Sequence, residues 1–119
     1  MDLEDVREYC LQKEGSTEDF PFDEDTLAFR VKGKIFCLAN LKETPFFINL
    51  KCEPHLAVEL RAQYNSVKPG YHMNKQHWNS VYLDGHFSAA ELRKWIDWSY
   101  GLVVKGLKKA DRLDLQGEP

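Results

Sequence analysis

Cysteine is scarce in this chain: three residues, Cys10, Cys37 and Cys52, stand at unrelated spacings. No Cys-x-x-Cys pair occurs, which excludes a zinc knuckle and a thioredoxin-like redox motif. Each cysteine falls within or beside an apolar pattern, where a free thiol packs as a small hydrophobe. Long apolar runs are missing too, and nothing approaches the roughly 18 residues of a membrane span. The opening Met1-Asp2-Leu3-Glu4-Asp5 is acidic and lacks the basic and apolar segments of a secretion signal. A cytoplasmic location without membrane contact is expected. Also lacking are a Gly-x-Ser-x-Gly elbow, a phosphate-binding loop and a dinucleotide fingerprint. Cys52 lies close to His55, but catalytic partners are placed by a fold rather than by adjacency. No catalytic residue and no cofactor are expected.

What is present suits one small domain. The 119 residues are 43% hydrophobic and 13% aromatic, enough for a core and against disorder. The expected domain runs over residues 1–115, with 116–119 as a frayed tail and a monomer as the working state. A net charge of −3 conceals an asymmetry. Residues 1–25 carry ten acids and two bases, a balance of −8, whereas residues 26–80 carry eight bases and three acids, a balance of +5. A polyanion would meet a positive middle region despite the acidic total.

Leu3, Val6 and Cys10 recur at helical spacing after Asp2, a plausible N-cap, and Gly15 can end that helix. Residues 16–25 read as an acidic loop tacked down by Phe20-Pro21-Phe22. Three strand-like runs follow. Leu27, Phe29 and Val31 alternate with polar or small residues, Lys32-Gly33 supplies a turn, and Ile35 to Leu41 is apolar almost throughout. Lys42-Glu43-Thr44-Pro45 makes a second turn before Phe46, Ile48 and Leu50 alternate. Pro54 suits a first helical position for Leu56, Ala57, Leu60 and Tyr64. Val67 to Met73 looks extended, Asn74 can cap a single turn through His77, and Val81-Tyr82-Leu83 reads as a strand. The last helix begins at Ser88-Ala89-Ala90-Glu91, a capping box, with Phe87 and Leu92 as its hydrophobic staple. Gly106 and Lys108-Lys109 match a C-terminal end. The expectation is an α+β fold of two layers, an antiparallel sheet with helices packed on one face, in the order α-β-β-β-α-β-β-α.

The densest chemistry lies between Lys68 and Ser80, which holds two His, two Lys, two Asn, a Tyr and a Trp. Such a mixture is costly to bury and useful to display. One reading is recognition of nucleic acid: Lys68 and Lys75 neutralise phosphates, Asn74 and Asn79 donate to phosphates or base edges, and Tyr71, His72, His77 and Trp78 stack or hydrogen-bond. Lys51, Arg30 and Lys34 would extend the positive face. The other reading is structural, with Tyr71 and Trp78 plugging the end of the core while Asn and His side chains tie down irregular backbone. Met73 and Trp78 are expected to be partly buried under either reading. His72 and His77 are five residues apart, which misses the spacing that puts two ligands on one helical face. No metal site is expected.

The string Tyr71-His72-Met73-Asn74-Lys75-x-His77-Trp78-Asn79-Ser80-Val81, followed by Leu83-Asp84-Gly85, Glu91-Leu92 and Ser99-Tyr100-x-Leu102-Val103, resembles the MmcQ/YjbR family. Phe29-x-Val31-x-Gly33-Lys34 and Leu50-Lys51-Cys52-x-Pro54 are similar to the same family's hairpin and helix start. The resemblance spans most of residues 3–107. It implies an α+β fold related to secretion chaperones and to frataxin-like (CyaY-like) proteins, and a "double-wing" arrangement in which sheet face and adjoining loops meet duplex DNA. It implies no enzymatic activity. The acids Asp2, Glu4, Asp5 and Glu8 are similar to the weakly cation-attracting ridge of frataxin-like proteins, although dipole compensation explains them more simply. Glu53 and Trp98 depart from the family's usual Asp and polar residue. Double-stranded DNA is therefore the leading expected partner. A protein-interaction or chaperone-like role is the alternative, signalled by exposed Phe47, Trp98 or Tyr100, and a small-anion pocket of Lys75, His72 and Asn79 is a third.

Overall fold

Asp2 and Asp5 each accept a hydrogen bond from the other's backbone N–H, the reciprocal capping box that starts helix α1 (Leu3–Leu11). The computed structural model describes residues 1–42 and 44–117. The Asp5 N–H holds the Asp2 carboxyl below its usual range, and Glu4 pairs with Arg7. Capping and a local ion pair thus account for three of the four acids at this end.

Six antiparallel strands follow: β1 (Ser16–Asp19), β2 (Thr26–Val31), β3 (Lys34–Asn40), β4 (Phe47–Lys51), β5 (Val67–Pro69) and β6 (Trp78–Tyr82), in the spatial order β1-β2-β3-β4-β6-β5. Helix α2 (Pro54–Gln63) joins β4 to β5, and α3 (Ala89–Lys105) and α4 (Lys109–Leu115) close the chain. The α+β class and the one-sided helix layer are as the sequence implies. Leu27, Phe29, Val31, Ile48 and Leu50 face the helices and meet Val6, Ala57, Leu92 and Ile96 in one core. Phe29 is wholly buried, a burial that contributes about 1.5–3 kcal/mol. The register slips between Phe29 and Arg30, so that Phe29 faces Cys37 while Arg30 faces Ile35. The extra residue, Phe36, also joins the core, and its ring meets Tyr100 edge-on at 5.3 Å.

Four local expectations are corrected. Residues 16–19 form the edge strand β1 rather than a loop. Its acids are neutralised from elsewhere: Arg7 binds Glu18 through two nitrogens, at 2.8 and 2.6 Å, and Arg30 binds Asp19 at 2.8 Å. Phe20 and Phe22 are 51% and 69% exposed, so they do not tack the following loop to the core. Helix α3 does end at Gly106 as expected, but it is not the last helix, because Leu107 and Leu115 are buried and draw α4 back onto the domain. At α3 the capping is one-sided: Ser88 Oγ accepts from the Glu91 N–H, whereas the Glu91 carboxylate pairs with Lys94. The element order is therefore α-β-β-β-β-α-β-β-α-α. Of the second expected turn, Glu43 lies outside the described residues, as do residues 118 and 119 of the expected tail; Gln116 closes α4. No helix among the described residues is long and apolar enough to cross a membrane.

Candidate functional site

Alternation along the strands leaves a second sheet face without helices. Leu38, Phe47, Asn49, Lys51, Ser80 and Lys68 fall on it by register, since Asn49 opposes both Leu38 and Ser80, and Ser80 opposes Lys68. The 68–80 motif wraps around this face. Gly70 is where the chain turns over it, and its approach to Trp78 is close. A Cβ there would lie 2.8 Å from Trp78 Cβ and 2.9 Å from its carbonyl oxygen, so only glycine fits.

Two buried polar residues pin the loop. Ser80 Oγ accepts the Tyr71 N–H at 2.9 Å and donates to Asn49 Oδ1, while Asn49 Nδ2 donates to the Tyr71 carbonyl at 3.1 Å. Both backbone groups of Tyr71 are thereby satisfied from the sheet. Neither Asn49 nor Ser80 was among the expected site residues. The signal was available in the alternation of Phe47-Ile48-Asn49-Leu50, where a polar residue shares a face with an aromatic.

The expected site residues separate into two groups. Asn79 is 2% exposed, with its amide donating to the Ala57 carbonyl of α2 and accepting from Arg61. It faces the helices and braces α2, which corrects the expectation that it meets a ligand. Asn74 Oδ1 accepts the N–H groups of Gln76 and His77, capping the single turn as expected. Lys75 Nζ donates to the Gly70 carbonyl at 2.8 Å. Trp78 and Met73 are half-buried. The proposed anion pocket of Lys75, His72 and Asn79 is not assembled, because Asn79 lies beneath α2 while Lys75 turns back to Gly70.

The second group points outward. Tyr71 is 50% exposed and stands edge-on to Phe47 at 5.9 Å, and Phe47 meets Tyr82 at 5.0 Å. His72 and His77 are exposed. His72 takes a left-handed backbone, φ 60°, a conformation uncommon outside glycine. Lys51 and Lys68 flank β6, opposite Trp78 and Ser80, roughly 12 Å apart across two strand spacings and two residues along, and neither ammonium has a partner among the described residues. Arg30 is occupied by Asp19 and the Gly33 carbonyl, and Lys34 is exposed three strands from β5. Phe47 is buried and Tyr100 donates to the Glu14 carbonyl, so neither is the exposed anchor that the protein-partner alternative anticipates. Trp98 is half-buried on α3, on the helix side.

Burial, and then the charge of Glu53, pushes the Cys52 thiol up to about 11. It is a packing residue at neutral pH, and Cys10 and Cys37 are likewise buried and free. Glu53 caps α2, accepting from the N–H groups of His55 and Leu56, which lowers its own pKa. Among the described residues no three His, Cys, Asp or Glu side chains gather as metal ligands.

Residues 11–102 match the family model YjbR. The YbdF protein of Escherichia coli O157:H7 is 47% identical over 94 residues, covering 78% of this chain and 76% of that one. The YjbR protein of Escherichia coli K12 is 31% identical over 112 residues, covering 94% and 95%. Among solved structures, the Deinococcus radiodurans protein DR2400, a DUF419 domain, is similar with a TM-score of 0.89 at 40% identity, covering 98% of this chain and 88% of that one. A Pseudomonas syringae protein is similar with a TM-score of 0.75 at 29% identity, covering 86% and 98%.

Proposed function

The chain belongs to the YjbR family, and from that premise we propose that it is a non-catalytic, monomeric, cytoplasmic binding module that engages duplex DNA through the helix-free face of its sheet. The observation that carries this reading is the unpartnered pair Lys51 and Lys68 on that face, beside the 68–80 loop. Their ammonium groups are free to replace counterions on phosphates, which is the main source of sequence-independent affinity. Lys75 sits close enough in the chain to add a third cation. It does so without leaving Gly70, since an ammonium has three donors. Asn74 acts beneath the contact by capping the turn that presents it, whereas Asn79 braces α2 on the other face.

Titration against duplex DNA at several salt concentrations tests this. Three phosphate contacts give a log–log slope of roughly −3, and replacing Lys51 and Lys68 together by Ala reduces its magnitude by about 2. Salt-insensitive binding, or an unchanged slope in the double variant, sinks the reading.

A protein partner is the second reading, favoured by the exposed rings of Tyr71, Phe46 and Phe22, because aromatics anchor interfaces. A pull-down scored for both classes separates the two. Loss of nucleic acid from the Lys51/Lys68 variant supports the first, and loss of a specific protein on Tyr71→Ala supports the second.

A further inference from the structure

The helix-free face is not flat. Two loops rise from it, the β1–β2 connection carrying Phe22 and Asp23 and the β5–β6 connection carrying Tyr71, His72 and Met73. Between them lies a cavity of about 280 Å³ whose floor includes Thr26, Leu38, Phe47 and Asn49. Leu38 and Phe47 are buried although no helix among the described residues covers them. The loops shield them by forming walls on either side.

We propose that this cavity binds a small planar aromatic or heteroaromatic ring carrying an N–H donor, of about the size of indole or a nucleobase. The volume lies just below the roughly 300–1,000 Å³ of drug-sized sites, which suits one fused ring system. Rings and a thioether make the walls, and these favour a flat π-surface over a puckered aliphatic of equal volume. Asp23, exposed at the rim, offers an acceptor to the ring's N–H donor. One carboxylate oxygen accepts the Asp25 N–H at 2.8 Å, and the other has no partner among the described residues. His72 supplies an independent pointer. Its ring lies against Tyr71, centroids 4.0 Å apart, on a left-handed backbone that the Ser80–Asn49 pin on Tyr71 helps to hold. Non-glycine residues held this way cluster where a structure clamps ligands. The inference does not rest on DNA binding, because Lys51 and Lys68 lie outside the cavity.

The test is amide chemical-shift mapping of the full chain with indole, adenine and cyclohexanol as probes at equal concentration. Saturable shifts at Leu38, Asn49, Tyr71 and His72 are expected with at least one ring probe, with cyclohexanol about tenfold weaker, as befits a site selecting stacking over bulk. Leu38→Trp fills the floor and should abolish the response while the spectrum stays dispersed. His72→Gly relieves the backbone and removes one wall, so it should fold and bind several-fold more weakly, and it decides the matter if Leu38→Trp does not fold. No saturable shifts, an equal response to cyclohexanol, shifts confined to other surfaces, or undiminished binding by the folded variants overturns the proposal.

Discussion

The two faces of one sheet use alternate residues of the same strands and are built on different physics. On the helix side Phe29, Ile48 and Leu50 are apolar neighbours, and transfer out of water holds them. On the other side Asn49 and Ser80 are nearly as buried, yet they are held by hydrogen bonds to each other and to Tyr71. Burying such groups is unfavourable unless every partner is met. The first face therefore supplies stability. The second gives up some of it to fix one loop in one place, with Tyr71, His72 and the two free lysines turned outward. A surface organised in that way suits recognition better than support.

That contrast can be broken at three depths. Phe29→Ala strikes the helix side and should cost about 3–5 kcal/mol in urea unfolding, a large share of the roughly 5–15 kcal/mol that stabilises a domain. Ser80→Ala should cost about 1–3 kcal/mol, since Asn49 Oδ1 and the Tyr71 N–H lose their partner. Its signature is local, with faster hydrogen exchange at Tyr71 than at core strand amides. Tyr71→Ala should cost only about 0.5–1.5 kcal/mol, the worth of one edge-on ring contact. A Tyr71→Ala loss as large as that of Phe29→Ala would mean the outward ring is part of the core, and the division between the faces would not stand.

Much of the frame is legible in the residues. Lys32-Gly33 turns the β2–β3 hairpin, both taking positive φ, and Pro54 opens α2. Asn74 caps its turn, and Met73 and Trp78 are half-buried as the chemistry anticipates. The edge strand β1 is hidden because Ser-Thr-Glu-Asp carries no apolar alternation. A strand paired on one side only needs little of it, and its charges are matched by Arg7 and Arg30 from other elements. Helix α4 is hidden for a related reason: a seven-residue helix is marginal by itself and forms here because Leu115 finds the core.

Local periodicity, turn chemistry and capping were enough to read off most elements, the class of fold and the position of the polar motif, but not β1 or α4. Tertiary structure alone decided which motif residues turn inward. Asn74 and Asn79 are chemically identical and five residues apart, yet one caps an exposed turn and the other is sealed under α2. A side chain's partners across the sheet lie up to dozens of residues away, and only the strand register brings them within hydrogen-bond reach.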